Sequence, residues 1–314
     1  MANMNELFLT FDEKIKLTTA KSNSLKTSRD SLRKDIKSWF EDNDKSKPNF
    51  CWQGSFAMKT TLIPLGENDY DMDDGVYLNG YSSDQDTWPA PSTVHKWIKD
   101  ATDDRTEQDS IDKNTCVRVV YANNYHIDLP IYIMKDEVAF LAHKSKGWTE
   151  SDPKAFRDWF LDKVSSNGEQ LRRIVRYLKA WKDYKNLPLK GIELTILACE
   201  NIDCFDNRDD KALKNTITNI VSKLEDNYTC KKPVIPNEDL FEEHSETKQT
   251  EIISAFKSLK KALEEAIAER DEEKASEKLI LFFGSRFPKG KSTQTAHYQT
   301  TASPGVLKHD GRSG

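Results

Sequence analysis

Apolar residues recur at roughly helical intervals across residues 8–41, at Phe11, Ile15, Leu25, Leu32, Ile36 and Trp39, with Lys and Asp between them. A stripe of that period predicts one long amphipathic helix. The polar run 42–49 ends it. From 50 to about 134 the pattern shortens to β-type runs: TLIPL (61–65), DGVYL (74–78), CVRVVY (116–121) and HIDLPIYIM (126–134). The last two flank the turn residues Ala122, Asn123 and Asn124, which predicts a hairpin. A polar stretch, 82–114, interrupts this region with a short helix from Val94 to Ala101. After 150 the period becomes helical. Asp152 is a natural N-cap and Pro153 a natural first helical residue for the run 154–164. Further helices are predicted over 168–185, 190–204, 209–227, 246–268 and 272–283, with Pro233 and Pro236 marking a loop. From Pro288 the chain is polar and poor in core residues, which predicts a mobile tail. The expected organisation is a mixed α/β core with its N-terminal helix (1–165), a helical lobe (166–287) and the tail (288–314), the first helix bracing both lobes.

Composition adds boundaries. A chain that is 37% hydrophobic and 32% charged, with 7 Trp and 14 Phe, is ordinary globular material. There is no apolar run long enough for a transmembrane helix, and the first residues lack a signal-peptide layout, so no membrane association and a cytoplasmic location are expected. The five cysteines are scattered and lack zinc-site spacing, which predicts buried reduced thiols. A formal charge of −5 argues against broad binding to nucleic-acid backbones but leaves small anions open.

The candidate chemistry lies in Asp69–Tyr77. On a strand, residues two apart share a face, so Asp71 and Asp73 project together while Met72 points away. Two carboxylates on one face repel unless a cation lies between them, which suggests a divalent metal. A calcium loop starting at Asp69 fails, because its sixth position is Asp74 rather than Gly and its twelfth is Gly80 rather than Glu. A solvated acidic turn remains the alternative for this segment alone. In 126–133, Ile127, Leu129, Ile131 and Ile133 form an apolar face, leaving Asp128 on the other with His126 and Tyr132. If the two strands are neighbours, Asp71, Asp73 and Asp128 converge and suit a two-metal centre for in-line phosphoryl transfer. Upstream, Gly54 and Ser55 make a turn whose amides and hydroxyl suit a phosphate. On the 168–185 helix, Arg172, Arg176 and Lys179 share a face distinct from the apolar stripe, either as a solvated basic face or as a phosphate clamp.

A Gly-Ser turn, a D-x-D strand and a third Asp on a later strand resemble the polymerase-β-like nucleotidyltransferases. The stretches QGSFAMKTTLIP, DYDMDDGVYL, HIDLPIY, LRRIVRYLKAWKDY and FFGSRFP are similar to the cGAS/DncV-like nucleotidyltransferases (CD-NTases) of bacterial anti-phage (CBASS) systems. The resemblance runs from about residue 50 to 288. It implies an α+β fold: a polymerase-β-like nucleotidyltransferase core on a mixed sheet, with a helical C-terminal lobe and a long N-terminal helix. It also implies a cyclic oligonucleotide synthase that joins ATP, GTP or other nucleoside triphosphates into a cyclic di- or trinucleotide acting on a separate effector. By the same resemblance Asp71 and Asp73 bind two Mg²⁺ (or Mn²⁺) ions and Asp128 binds the catalytic one. Gly54 and Ser55 hold the triphosphate, Gln53 supports the turn, and Lys179, with Arg176, clamps donor phosphates. Tyr77 either lies near the nucleobase or is a plain strand aromatic. Gly191 stands where some members carry a phosphate-contacting Ser. No zinc insertion is present, so DNA activation is not expected. Gly314 resembles C-terminal glycines conjugated by a ubiquitin-transfer-like enzyme. Two rivals stay open: a linear nucleotidyltransferase moving AMP to RNA or protein, and an inactive nucleotide-binding subunit.

Overall fold

The computed structural model describes residues 2–66 and 68–292. The tail from 293 onward, and with it the expectation for Gly314, lies outside the described residues. Among the described residues no helix is long and apolar enough to cross a membrane.

The expected single N-terminal helix is two helices, α1 (Asn5–Ile15) and α2 (Thr19–Asp42). The break has a tertiary cause. The Ile63 amide donates to the Ile15 carbonyl at 2.7 Å, and Lys16 bridges Leu62, so the chain at 15–17 pairs with the TLIPL segment instead of continuing to coil. TLIPL is spent on that bridge and forms no strand. Thr18 then caps α2 by accepting from the Lys21 amide at 3.3 Å. The two helices serve different cores. Phe8 and Phe11 of α1 pack with Phe283 and Phe287 in the helical half, whereas Leu25, Leu32, Ile36 and Phe40 of α2 cover the sheet.

The sheet is mixed. Its central strand, β2 (Tyr70–Leu78), is antiparallel to β1 (Asn49–Gln53) on one edge. On the other edge it runs parallel to β5 (Tyr125–Leu129) and β6 (Ile131–Lys135), two stretches parted by Pro130. The expected hairpin is present: β4 (Val117–Tyr121) pairs with β5, and β3 (Ile111–Asp112) pairs with β4. A second hairpin that the sequence pattern did not announce, β7 (Val138–His143) and β8 (Gly147–Glu150), extends the sheet from β6. The short helix α4 (Pro91–Asp100) packs beside them.

The helical half comprises α5 (Pro153–Asn167), α6 (Glu169–Lys185), α7 (Gly191–Asn201), α8 (Asp209–Asp226), α9 (Glu246–Ala268) and α10 (Glu272–Phe283). Asp152 caps α5 by accepting from the Ala155 amide at 2.9 Å. Phe156, Phe160 and Val164 of α5 belong to the helical core, as do Phe8, Phe11 and Ile15 of α1.

Candidate active site

Strand alternation sorts the residues of β2. Tyr70, Met72, Asp74, Val76 and Leu78 face the core under α2, while Asp71, Asp73, Gly75 and Tyr77 face the other way. Register then builds a row across four strands. Asp73 lies opposite Asp128 of β5 on one side and Gln53 of β1 on the other, and Asp128 lies opposite Arg118 of β4. Parallel to it, Asp71 lies beside His126.

The Gly-Ser turn sits on this row. Gly54 opens a short helix, α3 (Gly54–Ala57), with φ +64°, and a Cβ on it would overlap Asp73 Oδ2. The left-handed backbone favours glycine there, and any side chain would have to displace the Asp73 carboxylate. Ser55 Oγ lies 2.8 Å from Thr61 Oγ1, which folds the turn back on itself. Gln53 reaches over Gly75, its Nε2 donating to the Tyr132 hydroxyl at 3.0 Å, and a Cβ on Gly75 would lie 2.6 Å from Gln53 Oε1.

A cavity of about 570 Å³ opens between the two cores at this place. Its lining includes Gln53, Gly54, Ser55, Met58, Asp71 and Asp73 together with Lys179 of α6 and the N-terminal residues Gly191, Ile192 and Thr195 of α7. Burial pushes the Asp73 carboxyl up to about 8, helped by the negative charge of Asp71 and Asp128 and opposed by Arg118 and Lys179. Burial also pulls the Lys179 ammonium down to about 8, against the pull of Asp71. Three carboxylates thus face two cations, and Asp73 carries the strain of that deficit.

The sequence-predicted residues fare differently. Asp71, Asp73, Gln53, Gly54, Ser55 and Lys179 share the cavity wall. Asp128 is brought beside Asp73 by register, but it is not on that wall. Both its oxygens are held by Arg118, Nε and Nη2 donating to Oδ1 and Oδ2 at 2.7 Å each. Accordingly, among the described residues no three acidic, His or Cys side chains are arranged as a ready metal-ligand set. What fits a divalent cation is the Asp71–Asp73 pair, whose oxygen donors and uncompensated charge suit a hard metal.

The basic face of α6 is neither solvated nor a three-residue phosphate clamp. Arg172 Nε donates to the Met58 carbonyl at 3.1 Å, Arg176 Nη1 to the Lys59 carbonyl at 2.8 Å and Lys179 Nζ to Thr60 Oγ1 at 3.0 Å. Three successive residues after the Gly-Ser turn are therefore stitched to one helix face. Arg176 is further committed to Asp12 of α1, with bonds of 2.7 and 2.9 Å, and does not reach the cavity. Of the three, only Lys179 does. Tyr77 also lies off the cavity wall. It stacks on Tyr132 at 4.9 Å, with its hydroxyl buried and unpaired and its phenol pushed up by burial.

Sequence reasoning missed Arg118 as the partner of Asp128, although the hairpin turn at 122–124 carries the signal, since counting back from it pairs the two positions. It also missed Thr60, Lys182, Asp183 and Lys232 on the cavity wall, which no local pattern marks.

A mixed sheet that presents a D-x-D strand beneath a Gly-Ser turn, facing a helical lobe, defines a polymerase-β-like nucleotidyltransferase core. Comparison with known proteins narrows this. The chain matches the family models described as "Cyclic GMP-AMP synthase DncV-like, nucleotidyltransferase domain" over residues 48–132 and "Cyclic GMP-AMP synthase, C-terminal domain" over residues 168–296. It belongs to the cGAS/DncV-like nucleotidyltransferase (CD-NTase) family. It is 28% identical over 220 residues to a cyclic GMP-AMP synthase of Escherichia albertii, covering 65% of this chain and 47% of that protein. It is 25% identical over 310 residues to that of Vibrio cholerae, covering 76% and 67%. The chain thus spans about half the length of the first of these relatives and two thirds of the second. Its fold is that of Vibrio cholerae DncV: the structure solved in complex with the linear intermediate 5′ pppA(3′,5′)pG superposes with a TM-score of 0.76 at 20% identity, covering 91% of this chain and 97% of that one.

Proposed function

We propose that this chain condenses nucleoside triphosphates, ATP and GTP first among them, into a cyclic di- or trinucleotide with release of pyrophosphate at each bond. The observation that carries this reading is the Asp71–Asp73 pair facing Lys179 and the N-terminus of α7 across one cavity. A cyclic GMP-AMP synthase as the named relative supports the choice of product class. A divalent cation, Mg²⁺ or Mn²⁺, held by Asp71 and Asp73 supplies neutralisation of the triphosphate and lowers the pKa of the attacking ribose hydroxyl. Asp128, beside Asp73, completes that ligand set and orients the hydroxyl. The amides and hydroxyl of Gly54 and Ser55 receive the triphosphate, with Gln53 bracing the turn. Lys179 and the positive end of α7 meet the charge that builds on the leaving pyrophosphate. Gly191, at the start of α7, replaces a hydroxyl contact with backbone alone. The product acts on a separate effector in anti-phage defence, a reading that follows from the family resemblance.

Asp71→Asn combined with Asp73→Asn abolishes product while leaving the melting profile cooperative. The check is incubation with four labelled nucleoside triphosphates and Mg²⁺ followed by phosphatase. Phosphatase-resistant label identifies cyclic product, labelled macromolecule identifies linear transfer, and no turnover identifies a silent binder. Wild-type consumption of triphosphate by the double variant sinks the assignment.

A further inference from the structure

Asp128 has a partner that a metal ligand cannot keep. The bidentate Arg118 guanidinium takes both of its oxygens at 2.7 Å, in the geometry that makes Arg–carboxylate pairs strong and directional. The pair is fixed by the sheet itself, because Arg118 and Asp128 are directly opposed in the β4–β5 register and so share a face. Asp73 is directly opposed to Asp128 on the next strand, so guanidinium, third carboxylate and second carboxylate form one line. Asp71 and Asp73 are on the cavity wall, and Asp128 and Arg118 are not. The Arg118 side chain is 24% exposed, against 13% for Asp128, so the guanidinium has somewhere to go.

We propose that Arg118 is a positioning residue that competes with a second metal ion for Asp128, and that Asp128 becomes a ligand only when this guanidinium swings out. The inference rests on the nucleotidyltransferase reading of the site. Asp71 and Asp73 take a first ion without displacing anything, and the second ion competes with Arg118 for Asp128. Loading of the second ion is therefore tied to whatever draws Arg118 away.

The test is Mn²⁺ binding to the nucleotide-free protein, followed by the paramagnetic resonance signal of free Mn²⁺. The wild type is expected to show one tight and one weak ion. Arg118→Met, which keeps the aliphatic stem and removes the charge, is expected to tighten the weak ion about tenfold, the scale of one partly exposed charge pair. Arg118→Gln reads the same shift should the Met variant fold poorly. Lys179→Met removes an equal charge from the cluster without touching Asp128 and is expected to shift the weak ion far less. An Arg118→Met protein that binds the weak ion no tighter than wild type overturns the proposal, and so does an equal gain in Lys179→Met, which reduces the effect to general charge. If no protein binds Mn²⁺, and Asp71→Asn changes nothing, the metal reading itself has failed.

Discussion

The sheet carries an Arg–Asp pair on each of its faces. On the back, Asp74 of β2 is gripped by Arg33 of α2, Nε donating to Oδ2 at 2.6 Å and Nη2 to Oδ1. On the front, Asp128 is gripped by Arg118 with the same two-pronged geometry. The two arginines are similarly exposed, at 21% and 24%, so the difference lies in the carboxylates: Asp74 is 1% exposed with α2 over it, whereas the Asp128 side chain is 13% exposed. Even so, burial holds the Asp74 carboxyl above its ordinary range despite Arg33. The front pair stands next to Asp73 and an open cavity. The same chemistry therefore serves two ends. One pair anchors a helix through a carboxylate sealed from solvent; the other holds a carboxylate that solvent and ions can compete for. The run Asp71–Met72–Asp73–Asp74 makes the same point within one strand, since the face a carboxylate occupies decides its role.

The largest effect is expected from breaking the enclosed pair. Arg33→Met removes both charge-assisted hydrogen bonds from Asp74, leaving only the more distant charge of Arg29, and should cost about 3–5 kcal/mol of stability, read by chemical denaturation. Divalent cation should not restore it, because the Asp74 carboxylate is 1% exposed and closed to ions. Arg33→Met with Asp74→Leu should return to within about 1–2 kcal/mol of wild type, as apolar replacement of a whole buried pair does. A single variant as stable as wild type would remove the distinction between the faces.

Next in size is the effect of Asp73. Its carboxyl is raised up to about 8 in the folded protein, from an ordinary value of 3.8. Between those values the folded protein keeps a proton that the unfolded chain has released, so stability falls as pH rises from about 4 to about 8. Lys179, lowered to about 8, acts with the opposite sign and only above that pH. With divalent metal chelated, Asp73→Asn should stabilise the protein at neutral pH by roughly 1–2 kcal/mol, a figure discounted for the water that reaches the cavity wall. It should also flatten the slope over that window. Melting curves at several pH values check this, and parallel slopes for the two proteins would contradict it.

The comparison also explains what was legible in the sequence. Period-two alternation gave the two faces of β2, and the turn at 122–124 gave the hairpin that carries Asp128. The helices at 246–268 and 272–283 lie within their expected bounds because their apolar stripes and caps are local. The break after Ile15 was hidden because its cause, pairing with 61–63, is non-local. The basic stripe of α6 was read correctly as a face, yet its acceptors at 58–60 lie more than a hundred residues away. A cationic stripe meets water, phosphate or protein according to packing, and only packing shows that all three are stitched to 58–60 while Lys179 alone also lines the cavity.

The smallest stability effect is expected from the front pair. Arg118→Met removes a cation that is already partly exposed and leaves Asp128 beside a neighbour, Asp73, whose raised pKa lets the cluster take up a proton. In chelator the cost should be about 1 kcal/mol, well below that of Arg33→Met. Saturating Mg²⁺ should then abolish the deficit, since an ion bound only by the folded protein stabilises it by mass action. The contrast is the measurement: the same Arg→Met change, on the two faces of one sheet, with and without divalent cation. Rescue confined to Arg118→Met assigns exchange to the front pair and anchoring to the back. Rescue of neither, with equal losses, would make both pairs purely structural.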